Sequence, residues 1–127
     1  VFILCLTSNK GAEDFQLPDL HLKVAKKVQH WNVSGNAGLV VGATFPEKIK
    51  AIREITGQIP FLIPGVGTQG GDLEKTILCA DDLSKLPYLI NASRSIIYAS
   101  PREDYAQQAG IAAKNLRDRI NSLRLNL

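Results

Sequence analysis

A strand-like apolar run followed by a helix-like segment is repeated four times in 127 residues. The four runs are Val1 to Thr7, Ala37 to Ala43, Ile59 to Ile63 and Tyr88 to Asn91. They do not alternate between polar and apolar residues, which is typical of strands in a parallel sheet that is covered on both faces. A unit of about 30 residues that repeats a strand and a helix therefore predicts an α/β chain with parallel strands.

A helical segment follows each run. The predicted helices are Leu17 to Trp31, Pro46 to Thr56, Asp72 to Ala80 and Tyr105 to Leu123. The apolar positions expected on one face are, in the first helix, Leu17, Leu20, Val24, Ala25 and Val28 and, in the last, Ala109, Ala112, Ala113, Leu116 and Ile120. Pro18 is expected in the first turn of the first helix, where proline is tolerated.

The number of units predicts the architecture. A closed barrel of this type needs eight units and about 250 residues. We therefore predict that residues 1–127 form half of a TIM (β/α)8 barrel domain, and that they form the second, C-terminal half, with the phosphate-binding loops, if they supply strands five to eight. An open four-stranded parallel sheet is the competing architecture. Because the sequence starts with Val1 and contains no methionine, we expect the natural product to be longer.

Composition excludes several classes of protein. The 45% apolar and 21% charged content is typical of a folded domain, and no apolar run reaches the length of a membrane span, so we expect a cytoplasmic protein. A net charge of +3, scattered along the chain, indicates neither a nucleic-acid nor a membrane partner. Cys5 and Cys79 are expected to be buried or partly buried thiols. His21 and His30 lack metal-ligand spacing and are expected to be surface or packing residues.

The strongest binding motif is the glycine-rich segment from Pro64 to Asp72. Four glycines in seven positions allow positive φ angles and bring backbone N–H groups close to an anion. Gln69 adds an amide donor, whereas Asp72 is better explained as the N-cap of the next helix. No Gly-Lys-Ser/Thr sequence follows, and no acidic residue ends the next strand, which disfavours ATP and NAD. Such a loop on its own is often a plain turn.

A second motif, Asn91 to Ser95, ends the fourth run. Arg94 offers a planar fork of donors that suits phosphate, and Ser93 and Ser95 add hydroxyl or backbone donors. A single arginine at such a place is usually a surface residue. The loops after the last two strands of a barrel commonly form a phosphate site, however, so the two motifs together favour one.

The end of the first run supplies a third candidate, Ser8. Its hydroxyl is suited to the edge of a heterocycle, and a turn-forming role explains it equally well. Tyr98 is expected to pack beneath the arginine loop. Lys10 and Asp14 are expected to be solvated loop charges.

These motifs carry a family resemblance. Four segments resemble, in order and spacing, the last four strand-loop segments of the orotidine 5'-monophosphate decarboxylase family, of the longer bacterial type. They are Leu6 to Gln16, Gly38 to Glu47, Pro60 to Asp72 and Asn91 to Ser100. The resemblance covers essentially the whole chain. Lys10 stands where the family is expected to have proline, and Val66 and Thr68 vary within the loop, but none of these changes removes a donor.

The resemblance implies a barrel that dimerises, uses no metal or organic cofactor, and converts orotidine 5'-monophosphate to uridine 5'-monophosphate. Carried over to this chain, Gln69 and Arg94 look like the phosphate ligands, with backbone N–H groups near Gly70 and Ser93 beside them. Ser8 looks like the residue that reads the pyrimidine ring.

The resemblance also implies what this chain lacks. The family's catalytic centre is an Asp-x-Lys-x-x-Asp array with a further lysine nearby, and no segment here matches it. Binding without a proton donor does not accelerate the chemical step, so we predict no catalytic residue in this segment and no activity of the isolated chain. Two alternatives stay open. One is a non-catalytic phosphate-binding half barrel that pairs with itself or with a missing half, and the other is a different sugar-phosphate barrel enzyme.

Overall fold

The computed structural model describes residues 1–67, 70–81 and 87–125. Within these ranges the strands β1 (Phe2–Leu6), β2 (Gly38–Val41), β3 (Phe61–Pro64) and β4 (Tyr88–Asn91) form one sheet. Its order is β1-β2-β3-β4, and every neighbouring pair is parallel. All four predicted strands are confirmed, although the first three are shorter than the apolar runs that predicted them.

Helices connect the strands. They are α1 (Ala12–Phe15), α2 (Leu20–Trp31), α3 (Pro46–Thr56), α4 (Leu73–Asp81), α5 (Arg94–Ile97) and α6 (Tyr105–Leu125). Because α2 packs on α3 and α3 packs on α4, these three helices cover the same face of the sheet. A doubly wound open sheet instead reverses its strand order and carries helices on both faces. Sequential order with helices on one face is the arrangement of a barrel wall.

The core lies between that face and the three helices. Its largest fully buried apolar side chains are Leu6, Leu39, Val41, Phe61 and Ile63 from the sheet with Val28, Ile49, Ile52 and Ile77 from the helices. Two compact units make up the chain, and the first, Val1–Asn91, contains this core. In the second, Ala92–Leu127, α5 packs on α6, and no described residue of α6 is buried. No helix among the described residues is long and apolar enough to span a membrane.

The beginning of α2 corrects one prediction. The helix starts at Leu20, with Asp19 as its N-cap residue, so Pro18 lies outside the first turn. A residue that precedes proline is disfavoured from helical backbone angles, and Leu17 therefore does not open the helix, although it still packs against the core. Leu20 is 47% exposed, whereas His21 is buried, which confirms His21 as a packing residue.

The last helix matches its prediction more closely. It covers the predicted residues and extends two residues further, to Leu125. Of the expected face, Ala109, Ala112, Leu116 and Ile120 are half-buried, while Ala113 is exposed. The apolar stripe of α6 is thus narrower than its sequence suggested.

A buried arginine joins the ends of several elements in the first unit. Arg53 of α3 donates from Nε to Ala80 O (3.1 Å), from Nη1 to Gly57 O (2.8 Å) and Ile59 O (2.7 Å), and from Nη2 to Pro87 O (3.2 Å). Its guanidinium carbon lies 3.6 Å from the centroid of the Phe61 ring. Burial lowers the pKa of Arg53 to about 10 against the opposing effect of the Asp81 carboxylate, so the side chain is still a cation at neutral pH.

Candidate functional site

The three predicted binding loops begin at the same edge of the sheet. Ser8 is the second residue after β1, the glycine-rich loop follows β3 directly, and Arg94 is the third residue after β4. Pro64 and Asn91, the last residues of β3 and β4, are register partners, so the loops that follow these strands start side by side. The carboxyl edge of parallel strands is where barrels and open α/β sheets bind their ligands.

The backbone at Ser8 is held by the residues that follow β2. Thr44 Oγ1 donates to Ser8 O (3.3 Å), and Gly42 N donates to Leu6 O (2.7 Å). A Cβ on Gly42 would lie 2.7 Å from Ser8 N and 2.9 Å from Ser8 Cα, so a side chain at Gly42 would push the loop away. Ser8 itself is half-buried. Sequence reasoning did not single out Gly42, which sets the position of Ser8.

Gln16 fixes the other side of this loop. Thr7 N donates to Gln16 Oε1 (2.8 Å), and Gln16 Nε2 donates to Thr7 Oγ1 (3.0 Å). The Gln16 side chain thereby supplies hydrogen-bond partners to Thr7, which lies just beyond the end of β1. Lys10 and Asp14 are exposed as expected, but Asp14 lies in the short helix α1 rather than in a loop.

Three of the four glycines in the glycine-rich segment have the positive φ angles that the sequence predicted. The φ angles of Gly65, Gly67 and Gly70 are 95°, 75° and 90°, a region that favours glycine. Gly71 is required for a different reason, because a Cβ there would lie 2.6 Å from both Ala43 Cβ and Gly65 O. The loop therefore packs directly on the residues that follow β2.

Three amide groups among the described residues of this loop are already engaged. Gly67 N donates to Gly71 O (3.0 Å), Gly70 N to Gly67 O (2.8 Å) and Gly71 N to Gly65 O (3.1 Å). An anion bound by the Gly70 amide would have to share or replace the bond to Gly67 O. Gln69, the predicted side-chain ligand of this loop, lies outside the described residues. Asp72 Oδ1 accepts from Lys75 N (3.1 Å), which confirms Asp72 as a helix N-cap.

Arg94 is the first residue of α5, and Ser93 is its N-cap residue. Both are exposed, and the part of the chain that the structure describes offers the Arg94 guanidinium neither a hydrogen bond nor an ion pair. Its donors therefore point to no protein acceptor and are available to an anion. The expectation that Tyr98 packs beneath this loop is wrong, since Tyr98 is 76% exposed at the end of a one-turn helix that buries no residue.

A separate open cavity of about 560 Å³ lies between α3 and α4. Its charged lining residues are Glu47, Lys50, Asp72 and Lys75, and Gly70 is the one predicted site residue that it includes. The cavity is thus mostly distinct from the predicted binding loops.

Both thiols are as predicted, and both cysteines are free. Cys5 is buried, its Sγ donates to His21 O (3.2 Å), and burial raises its pKa to about 12. Cys79 is half-buried, and burial raises the pKa of this thiol as well. In residues 1–67, 70–81 and 87–125 there is no group of three or more histidine, cysteine or acidic side chains placed to hold a metal.

Four parallel βα units with their candidate binding loops at one strand edge define half of a (β/α)8 barrel. The chain belongs to the orotidine 5'-phosphate decarboxylase / HUMPS family, whose model matches residues 1–109. It is 47% identical over 130 residues to the orotidine 5'-phosphate decarboxylase of Azoarcus sp. (strain BH72), covering 98% of this chain and 48% of that protein. The chain thus spans about half the length of the curated relatives it matches.

Solved structures agree in fold. Leishmania donovani UMP synthase matches with a TM-score of 0.81 and 38% identity, over 98% of this chain and 28% of that one. Leishmania donovani OMP decarboxylase matches with a TM-score of 0.76 and 36% identity, over 98% of this chain and 48% of that one. The predictions of the family and of a half-barrel fold are confirmed.

Proposed function

We propose that this chain is the second half of an orotidine 5'-monophosphate decarboxylase. The parent enzyme would convert orotidine 5'-monophosphate to uridine 5'-monophosphate and CO2 in pyrimidine biosynthesis. The observation that carries the proposal is the common origin of three polar loops at one edge of a parallel sheet, in a chain 47% identical to a protein of that name. In this proposal residues 1–127 belong to one barrel domain of a cytoplasmic enzyme.

Within that enzyme the chain would bind the substrate. Gln69 and Arg94 would contact the phosphate, with the backbone N–H groups of Gly70 and Ser93 beside them, and Ser8 would read the pyrimidine ring. The exposed Arg94 guanidinium supports its role, because a bidentate contact to a phosphate dianion needs donors that no protein acceptor occupies. The position of Ser8 over Gly42 supports the second role, since a rigid backbone keeps a hydrogen-bonding group in place.

The chemical step would depend on residues outside this chain. The sequence contains no Asp-x-Lys-x-x-Asp array, so it supplies binding energy at the phosphate and the ring but no lysine to protonate the carbon that loses CO2. Binding that is equally strong in substrate and transition state does not lower the barrier. We therefore propose that the isolated chain is inactive. The parent enzyme would use neither a metal nor an organic cofactor. The partner of the isolated chain would be a complementary half or a second copy.

Calorimetric titration with uridine 5'-monophosphate, with uridine as the control ligand, tests the phosphate contacts. We expect the nucleotide to bind and the nucleoside not to. Arg94→Ala should weaken nucleotide binding by about 2 kcal/mol or more, because it removes a charge-assisted bidentate contact. Arg94→Lys should lose part of the affinity, because it keeps the charge without the planar fork.

Arg102→Ala is the matched control, since Arg102 is also exposed and lies eight residues further along the chain. It should leave nucleotide affinity unchanged. If Arg94→Ala and Arg102→Ala bind the nucleotide equally well, Arg94 does not contact the phosphate. The same pair of variants in the full-length parent enzyme should differ in KM, and an unchanged KM for Arg94→Ala would also refute the assignment.

A further inference from the structure

The loop that carries Ser8, residues 8–15, is closed at its base by one side chain. Gln16 Oε1 accepts from Thr7 N (2.8 Å), and Gln16 Nε2 donates to Thr7 Oγ1 (3.0 Å). Thr7 immediately precedes Ser8, and Gln16 is the C-cap residue of α1. The Gln16 side chain therefore joins the two ends of the loop.

Gln16 is itself held by a buried residue of α2. Its carbonyl oxygen accepts from His21 N (3.1 Å) and lies 3.0 Å from His21 Nδ1. Because a carbonyl oxygen can only accept, Nδ1 carries the proton in this contact. His21 is 1% exposed, and its own carbonyl oxygen accepts from Cys5 Sγ (3.2 Å) in β1. Hydrogen bonds thus run from β1 through α2 to Gln16 and return to Thr7, just beyond the end of the same strand.

These contacts fix the backbone on one side of Ser8, and Thr44 fixes it on the other. Gln16 holds Thr7 N, whereas Thr44 Oγ1 donates to Ser8 O (3.3 Å). A serine side chain has one rotatable bond to its oxygen, and that bond takes a few staggered positions. The direction of the Ser8 hydroxyl therefore follows from the backbone that these two side chains anchor.

We propose that Gln16 is a positioning residue that sets the direction in which Ser8 meets the pyrimidine ring. This inference rests on the proposed role of Ser8 and names the residue on which that role depends. Gln16 acts through Thr7 and does not itself touch the nucleotide. A hydrogen bond weakens steeply when its angle is poor, so a displaced Ser8 loses its contact with the ring. The phosphate contacts come from the loops after β3 and β4, and the loss of Gln16 leaves them intact.

Calorimetric titration with two ligands separates the ring contact from the phosphate contacts. The ligands are uridine 5'-monophosphate and ribose 5-phosphate, and the ratio of their dissociation constants measures what the ring contributes. Gln16→Met keeps the length of the side chain and removes both hydrogen bonds to Thr7. We expect it to weaken binding of the nucleotide by about threefold to tenfold, the range for one neutral hydrogen bond, and to leave binding of the sugar phosphate unchanged. A merely structural role would weaken both ligands alike and leave the ratio as it is.

Three other variants complete the design. Gln16→Glu should keep most of the ratio, because Thr7 N and Thr7 Oγ1 both lie within hydrogen-bonding distance of Gln16 Oε1, at 2.8 Å and 3.2 Å, and a carboxylate oxygen can accept from both. Gln29→Met is the matched control, since Gln29 is an exposed glutamine of α2, and it should leave the ratio unchanged. Ser8→Ala should lower the ratio, and adding Gln16→Met to it should lower the ratio no further, because both changes remove the same contact.

Nuclear magnetic resonance of the chain without ligand tests the positioning directly. Gln16→Met should shift the amide resonance of Ser8, whereas Gln29→Met should not.

The outcomes distinguish this inference from the proposed function. If Ser8→Ala lowers the ratio and Gln16→Met does not, or if Gln16→Met leaves the Ser8 amide resonance in place, Gln16 is not a positioning residue and the proposed function stands. If the wild-type chain binds neither ligand or binds both equally, or if Ser8→Ala leaves the ratio unchanged, the proposed role of Ser8 is wrong and this inference falls with it.

Discussion

Arg53→Met would remove the guanidinium that links α3 to the starts of β3 and β4, while keeping the length and helix propensity of the side chain. Two of its four acceptors, Ala80 O and Ile59 O, are joined to it by buried hydrogen bonds, and the contacts to Gly57 O and Pro87 O are partly buried. The partly buried carbonyl oxygens can accept hydrogen bonds from water after the substitution. The two buried ones lose a donor that water replaces poorly.

The expected cost follows from these contacts. Two buried bonds from a charged donor contribute about 1.5 kcal/mol each at the lower end of their range. The stacking of the guanidinium on Phe61, at 3.6 Å, contributes about 1 kcal/mol or more. Methionine recovers part of this sum, because it avoids the desolvation of a buried cation. We therefore expect Arg53→Met to lower the free energy of unfolding by about 3 kcal/mol, a large part of the total for a small domain.

Urea unfolding followed by circular dichroism, at one fixed protein concentration, measures this loss. Arg53→Lys should be nearly as damaging, because a single ammonium group cannot reach four carbonyls in different directions. Arg119→Met is the control, since Arg119 is an exposed residue of α6, and its effect should stay within about 0.5 kcal/mol. A loss below about 1 kcal/mol for Arg53→Met would refute the view that this cation holds the elements together.

Four further substitutions have expected results. Gly42→Ala should destabilise the chain by about 2 kcal/mol and shift the amide resonance of Ser8, because its Cβ would lie 2.7 Å from Ser8 N, and an unshifted resonance would contradict the packing described. Gly110→Ala should raise the free energy of unfolding by about 0.5–1 kcal/mol, since it lies in α6 with open space around it. Gly35→Ala should lower it, because Gly35 has a φ of 64°. The pKa of Cys5 is raised to about 12 from 9.0, so the folded state holds its proton more tightly and stability should fall as pH rises from about 9 to about 12. Cys5→Ala should show a shallower fall over that range, and identical slopes would show that Cys5 does not contribute.

The strands were predictable because their signal is local. Each apolar run is bounded by glycine, proline or polar turn residues, and the observed strands lie inside those runs except that β3 extends one residue further, to Pro64. The start of α2 was missed because helical spacing was counted through Pro18, which bars Leu17 from the helix. The exposure of Leu20 and the burial of His21 follow from that shift of the helix start.

Arg53 was not predicted because its partners are distant in sequence. Ala80 and Pro87 lie 27 and 34 residues further along the chain, and no local pattern connects them. One signal was available, since Ile49, Ile52 and Thr56 of α3 are buried and Arg53 falls on the same stripe. A charged residue on an otherwise apolar helical stripe indicates a buried cation with oxygen acceptors.

The candidate site was predictable in position but not in its hydrogen bonds. Motif spacing located Ser8, Gly70 and Arg94 after the ends of strands, where the structure has them. It gave no sign that the Gly70 amide donates to Gly67 O, because that bond depends on the folded path of the loop. The roles of these residues in binding stay predictions.

The location of Arg53 has a consequence for redesign. Its acceptors Ile59 O and Pro87 O precede β3 and β4, whereas the glycine-rich loop and Arg94 follow those strands. β3 is four residues long, and each residue of a strand spans about 3.3 Å, so the two ends of the sheet are about 10 Å apart or more. Stability effects of residues that far apart usually add. The loops after β3 and β4 can therefore be exchanged, while the opposite end of the sheet keeps the scaffold intact.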